Sequence, residues 1–347
     1  MKTPKTCHCD EQRRSFIKTA GLMGLGAASA TLLPAQRAEA LLFGSKEYKV
    51  SKIRLAMGTY VNMTAIHPSK DEAEQAFGLA FAEIDRLNTL LSRYDADSPV
   101  THLNQKGSLL KAPQEVLELV ARSLYYHKQT SGAFDITVKP LIDLYKDNFS
   151  AGRKPTDIQI QAALNNVGAE HLHFESGNIS FSKSGMGITL DGIAKGYIVD
   201  RASEVLARNG ISNHLINAGG DIRTSGSAAK GKPWTIAVQD PAKNKQYPDV
   251  ITMMNGAIAT SGNYEVFYDN EKMFHHIIDS RTGYSPELSA SVTVQAATVM
   301  DADALSTSVF VMQPVAGINF INGRQGCACF VVEASGATHH SQGWKAG

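Results

Sequence analysis

The chain has 347 residues, 43% of them hydrophobic and 19% charged, with 34 Lys and Arg against 33 Asp and Glu for a formal net charge of +1. That is an ordinary globular composition, long enough for one large domain or two small ones. The balance of charge excludes a surface built to coat a polyanion, so nucleic acid is not an expected partner.

Residues 1–40 read as an export signal outside the fold. Arg13-Arg14-Ser15-Phe16-Ile17-Lys18 is a twin-arginine pattern, residues 19–33 are weakly apolar, and Ala38-Glu39-Ala40 fits a small-x-small cleavage site. Spanning a bilayer takes ~20 apolar residues, more than this run supplies. The expectation is a periplasmic protein, cleaved near Ala40, with one mature domain over residues 41–347. Cys7 and Cys9 leave with the signal.

A strand-like segment leads to Met57-Gly58-Thr59, and alternation continues to Ile66. Ser69-Lys-Asp-Glu72 is a capping box opening a long helix with Phe77, Phe81, Ile84, Leu87 and Leu91 on its apolar face. A polar loop with Ser92, Tyr94, Ser98 and Asn104 follows. Pro113 starts a second helix that ends near Gly132. Ile136-Thr-Val138 is strand-like, and Thr156-Asp157 starts a third helix. Residues 180–190 suggest paired strands around Gly185-Met-Gly187. A helix runs from about Ile193 to Arg208 and stops at Asn209-Gly210.

The second half reads mostly as strands: residues 214–217, 234–239, 257–260, 275–279 and 291–297, with one helix over 302–312. Cys327-Ala-Cys329 opens a last strand, with both thiols on one face as small apolar side chains. Without regular βαβ alternation the pattern predicts an α+β fold, one mature domain with two lobes.

Two stretches carry chemistry. In Asp301-Ala-Asp-Ala-Leu-Ser-Thr307, Asp303 and Thr307 share a helix face, with Ser306 close by. They can offer oxygens to a hard cation such as Mg²⁺. The same pattern also describes a capping Asp and a Thr bonded back to its own helix. In Thr189-Leu-Asp-Gly-Ile-Ala-Lys-Gly-Tyr197, Gly192 and Gly196 allow close backbone approach, Lys195 adds charge, and the following helix N-terminus suits a phosphate. Tight strand–helix packing is the plainer account of those glycines. His275 and His276 should lie on opposite faces of a strand, one of them turned towards a site.

Taken in order, these pieces resemble the ApbE family of FAD:protein FMN transferases. The resemblance rests on Met57-Gly-Thr59, Ser92-Arg-Tyr94, Ser131-Gly-Ala-Phe-Asp135, Leu190-Asp-Gly-Ile-Ala-Lys-Gly-Tyr197, Asn217-Ala-Gly-Gly-Asp221, Thr260-Ser-Gly262, His276-Ile-Ile-Asp279 and Ala302-Asp-Ala-Leu-Ser-Thr307. It implies a fold of mixed sheets and helices, related to the T-fold. It also implies Mg²⁺-dependent transfer of FMN from FAD to a Ser or Thr hydroxyl of an acceptor, a membrane-bound respiratory subunit, with AMP released. Met57, Tyr94, Ala133, Phe134 and Asp135 would hold FAD, with Tyr94 stacked on the flavin. Thr189 and Lys195 would flank the diphosphate. The Gly192 carbonyl, Asp303, Ser306 and Thr307 would hold Mg²⁺. His276 would serve as base and, with Ile277 beside it, would also contact the flavin nucleotide, with Asp279 as second base or as orienter of the histidine.

The common family pattern reads Asp-Leu-Gly-Gly where this chain has Thr189-Leu190-Asp191-Gly192, so the carboxylate is displaced by two places. This variant is similar to a branch linked to periplasmic respiration, including NosX-like proteins. Ser335-Gly-Ala-Thr338 resembles an acceptor motif without its upstream Asp, and reads as a plain surface turn. Two rival functions use the same residues: an FAD pyrophosphatase, and a periplasmic FAD carrier for a respiratory complex.

Overall fold

The structure, a computed structural model, describes residues 39–43, 47–241, 247–264, 268 and 274–345. Residues 1–38, which hold the twin-arginine pattern, Cys7 and Cys9, lie outside that range, while Glu39 and Ala40 fall within the first strand.

Strand β1 (Glu39–Phe43) pairs with β2 (Glu47–Ala56), and β2 turns back into β3 (Thr59–His67). The turn is Met57-Gly58, with φ of 51° and 72°. Two central residues with positive φ are the type I′ geometry that matches strand twist. A methionine held there costs about 1 kcal/mol, a strain typical of functional positions.

Helix α1 (Lys70–Leu91) is capped by Ser69, whose Oγ accepts the Glu72 N–H at 3.3 Å. The expected polar loop instead contains helix α2 (Pro99–Lys106). Ser98 caps it by accepting the Thr101 N–H at 2.9 Å, and Pro99 is set for its first turn. After β4 (Ser108–Leu109) comes α3 (Gln114–Gln129).

The expected strand at Ile136–Val138 is a 3₁₀ turn. Asp135 Oδ1 accepts from Thr137 N–H at 2.7 Å and Thr137 Oγ1 at 2.6 Å, which winds the chain directly into α4 (Lys139–Ser150). Helix α5 (Asp157–Leu164) carries a full capping box between Thr156 and Gln159.

Strands β5 (Leu172–Glu175) and β6 (Asn178–Phe181) join β4 in a small sheet. No strand follows between residues 182 and 190. The Asn104 side chain takes the place of a partner there: its Oδ1 accepts Ile188 N–H at 2.7 Å and its Nδ2 donates to Ile188 O at 2.9 Å.

The remaining elements are α6 (Ala194–Arg208), β7 (His214–Ala218), β8 (Asp221–Ser225), β9 (Trp234–Ala237), β10 (Val250–Met253), β11 (Gly256–Gly262), β12 (Ser289–Ala296), α7 (Val299–Val311), α8 (Pro314–Asn322), β13 (Ala328–Glu333) and β14 (Thr338–His340). Nine strands form one antiparallel sheet in the order β1-β2-β3-β7-β8-β11-β12-β13-β14.

Helices α1, α6 and α7 cover one face of this sheet. Val61, Met63, Val292 and Val294 from the strands meet Phe77, Ile84, Val199 and Phe310 from the helices in the main core. On the other face Ile222, Ile258 and Phe330 are covered by the β9–β10 hairpin and Trp344. A third, smaller core around Tyr145 and Ile160 joins α4 and α5 to Ile278. The class is α+β, as the pattern predicts.

Cys327 precedes β13 and Cys329 lies within it; both are free thiols packed on the main core, and burial pushes Cys329 up to about 12. Ser335 sits in the turn between β13 and β14, with its Oγ donating to Glu333 Oε2 at 3.0 Å. The expected strand over 275–279 is reduced to a single bridge residue, His275. Its neighbours' N–H groups go elsewhere: Ile277 donates to His275 Nδ1 at 3.3 Å and Asp279 donates to Tyr284 O at 2.9 Å.

Candidate active site

The start of α7 is held from two directions. Asp200 on α6 accepts the Val299 and Met300 N–H groups at 3.1 and 2.9 Å. Those donors have no partner within their own helix, and a carboxylate there also meets the positive end of the dipole. Asp301 accepts from Arg122 Nε at 2.9 Å and from the Tyr126 hydroxyl at 2.8 Å.

Helices α6 and α7 touch at Gly196, where a Cβ would lie 2.4 Å from Val299 O. Only glycine permits that approach. It lets the Gly196 N–H donate to Asp303 Oδ2 at 3.0 Å.

The hydroxyls line up behind Asp303. Ser306 Oγ donates to Asp303 O at 2.9 Å and lies 2.8 Å from Ser261 Oγ, which is 3.2 Å from Thr307 Oγ1. Gly192 arrives from the other side: a Cβ on it would lie 3.2 Å from Thr307 Oγ1 and 3.4 Å from the Phe134 ring. The structure therefore gathers Gly192, Asp303, Ser306 and Thr307.

Asp303 is 5% exposed and Ser306 fully buried. One carboxylate with hydroxyls and a nearby backbone is a hard-oxygen set that suits Mg²⁺ while leaving positions for substrate oxygens. Among the described residues no group of three or more His, Cys, Asp or Glu could hold a metal. The fit rests on oxygens of mixed kinds.

Ser261 is the site residue that the motif reading passes over. Alternation along β11 points it at α7, while its neighbour Thr260 bonds across the sheet to Thr293 Oγ1 at 2.9 Å. That alternation was the available signal.

The other expected residues fall into three groups. Thr189 is buried, and its Oγ1 accepts the Asp191 N–H at 3.2 Å. Lys195 Nζ lies 3.5 Å from Asp221 Oδ2, so the carboxylate after the Gly219-Gly220 turn steers the lysine. Asp191 Oδ2 accepts Arg93 Nε at 2.9 Å. Burial opposes charge on Arg93, but Asp191 together with the neighbouring tyrosines outweighs it and raises its pKa.

Ala133 and Phe134 are buried, and the Phe134 ring packs against Gly192. Asp135 is turned inward: besides its bonds to Thr137 it lies 3.2 Å from His127 Nδ1, and that close carboxylate raises the His127 pKa. Tyr94 faces outward and is 57% exposed, while Met57 is half-buried and packs against the main core.

His275 is buried, with its Nε2 donating to Pro286 O at 2.9 Å and its ring against Phe310. It is a structural histidine whose partners place a proton on Nε2 and use Nδ1 as an acceptor. His276 is half-buried, and its ring stands edge-on to that of His275 with centroids 6.3 Å apart; no strand runs here to set the two on opposite faces. Asp279 is occupied at both oxygens: Arg281 Nε and a terminal guanidinium nitrogen donate to it at 2.8 Å each, and it forms the turn that follows. Ser280 Oγ donates to Gly132 O at 2.7 Å, which ties the His276 loop to the Ser131-Gly132 turn. Ile277 is buried beside His276.

The model of the ApbE family matches residues 57–331, a span that takes in all eight motifs. The chain belongs to the ApbE family. The FAD:protein FMN transferase of Escherichia coli strain K12 is 31% identical over 267 residues, 73% of this chain and 75% of that protein. The protein of the same name from Vibrio cholerae is 33% identical over 254 residues, 70% of this chain and 76% of the relative. Among solved structures, the ApbE protein from Thermotoga maritima superposes with a TM-score of 0.78 at 30% identity, over 85% of this chain and 97% of that one. The flavin transferase ApbE from Vibrio cholerae gives 0.74 at 28% identity, over 85% and 98%.

Proposed function

We propose that this ApbE-family chain transfers the FMN part of FAD to a Ser or Thr hydroxyl of an acceptor protein and releases AMP. The observation that carries this reading is the meeting of Gly192 with Thr307 next to buried Asp303. Residues 115 apart in sequence thereby form one oxygen-lined site at the entry of helix α6.

The residues divide the work. Tyr94 offers an exposed ring for the flavin. Lys195, steered by Asp221, and the α6 N-terminus stabilise the diphosphate. The Gly192 carbonyl, Asp303, Ser306 and Thr307 would hold Mg²⁺, which when bound neutralises charge on the phosphates.

His276 takes the proton of the incoming hydroxyl at a ring nitrogen. The acceptor oxygen bonds to the FMN phosphorus as the bond to the bridging oxygen breaks, and AMP carries that oxygen away. Asp279, whose oxygens already serve Arg281, orients the His276 loop. The twin-arginine pattern supports action in the periplasm, and the resemblance of the Thr189-Leu-Asp-Gly192 variant to a branch linked to periplasmic respiration supports a membrane-bound respiratory subunit as acceptor.

Incubation with FAD, Mg²⁺ and a protein carrying an acceptor motif tests the proposal by intact mass. The expected result is acceptor heavier by FMN, stoichiometric AMP, and loss of both with Asp303→Ala. Free FMN with unmodified acceptor would identify a pyrophosphatase. Undiminished transfer by Asp303→Ala in chelator would remove the metal from the reaction.

A further inference from the structure

The displaced carboxylate of the glycine turn has a partner 98 residues away: Asp191 Oδ2 accepts from Arg93 Nε at 2.9 Å. The Arg93 side chain is only 9% exposed. A guanidinium so withdrawn from water needs a partner that keeps it in place. It also lies over the Tyr94 ring, whose centroid is 4.3 Å from Arg93 Cζ. A cation on a ring face holds that face in position. Lys146 Nζ stands 6.0 Å from the same ring.

The backbone of this loop is fixed independently. Ser92 Oγ accepts the Tyr94 and Asp95 N–H groups at 3.1 Å each. At the other end, Asp191 N–H is anchored on Thr189 Oγ1, and Gly192 follows directly.

We infer that the Arg93–Asp191 pair is a positioning clamp, which sets the Tyr94 ring against the Gly192 turn so that flavin and diphosphate are held in one register. The inference rests on the FAD reading above and deepens it. Arg93 and Asp191 are positioning residues; neither donates a proton or forms a bond in the reaction. The carboxylate two places late in the motif thus organises the flavin end of the substrate.

The test uses Asp191→Asn, Arg93→Lys, the double variant and Asp191→Glu in the full chain. Asn keeps the shape of Asp without its charge, while Lys keeps the charge of Arg without the planar fork. FAD affinity is read from flavin fluorescence, and KM and kcat from transfer to an acceptor protein. Each single variant should weaken FAD binding and raise KM about tenfold, with kcat within about threefold of wild type. Bound flavin should emit more brightly as the tyrosine stack loosens. The double variant should be no worse than the poorer single one, as for two ends of one interaction. Asp191→Glu should recover part of the affinity.

If wild type binds and transfers FAD while Asp191→Asn keeps the same KM and the same bound-flavin emission, the clamp is refuted. A fall in melting temperature and kcat with unchanged flavin emission also refutes it, since that is the signature of a merely structural pair. A wild type that neither binds nor transfers FAD overturns the functional reading instead, and the clamp with it.

Discussion

His275 and His276 show how adjacent residues of one type acquire different work. Both nitrogens of His275 are committed to backbone, one donating to Pro286 O and one accepting from Ile277 N–H, and the ring is buried on Phe310. Removing it leaves buried polar backbone without partners, which costs stability. His276 is half-buried and lies on the loop tied to Gly132. Exchange of His276 for Gln should slow single-turnover FMN transfer about 100-fold or more, the usual loss for a general base. FAD binding and the melting temperature should barely change. His275→Gln should do the reverse, lowering the melting temperature first. Equal loss of transfer rate in the two variants, with equal melting curves, would dissolve the distinction.

At the scale of elements, the site depends on how the N-termini of α6 and α7 are set against each other. Gly196 allows the contact, and Asp200 spans it by holding the first two N–H groups of α7. Asp200→Ala should cost about 1–2 kcal/mol, the range for loss of a helix cap. The metal-bearing face should loosen as well, so a Mg²⁺ titration of transfer should shift to higher concentration. An unchanged titration midpoint would mean that α7 is positioned without Asp200. These two helices were legible in the sequence because apolar periodicity and an Asn209-Gly210 stop mark α6, and because the Asp303/Thr307 spacing marks a face of α7. Other elements hid for physical reasons. Helix α2 looks polar because its cap and Pro99 do most of the signalling. The 3₁₀ turn after Asp135 carries β-branched residues that read as strand, and only the Asp135 side chain winds it. Residues 182–185 bend and turn, and Ile188 is held by the Asn104 amide, a partner no local pattern reveals. Ser261 lies in one of the eight motifs, but only the alternation of β11 shows that it faces α7.

Across the whole molecule the formal net charge is only +1, and two histidines pull the pH dependence of stability in opposite directions. His127, beside Asp135, has a raised pKa. Its contribution is full below the unfolded value near 6.5 and is lost as pH rises through the raised one. His214 behaves oppositely. It is fully buried between α6 and β7, with Nδ1 donating to Ile211 O at 2.8 Å and Nε2 accepting from Ser203 Oγ at 2.7 Å. Burial pulls its pKa down to about 4 from an ordinary 6.5. The unfolded chain therefore takes up a proton that the folded one refuses, and stability present above pH 6.5 drains as pH falls towards 4. The shift corresponds to about 3 kcal/mol at most. Denaturant midpoints measured at pH 7.5, 5.5 and 4.5 should fall on the acid side. In His214→Gln the decline over that window should flatten, because the neutral amide keeps an acceptor for Ser203 and cannot charge. A variant that declines as steeply as wild type would place the acid sensitivity elsewhere in the fold and leave His214 as packing alone.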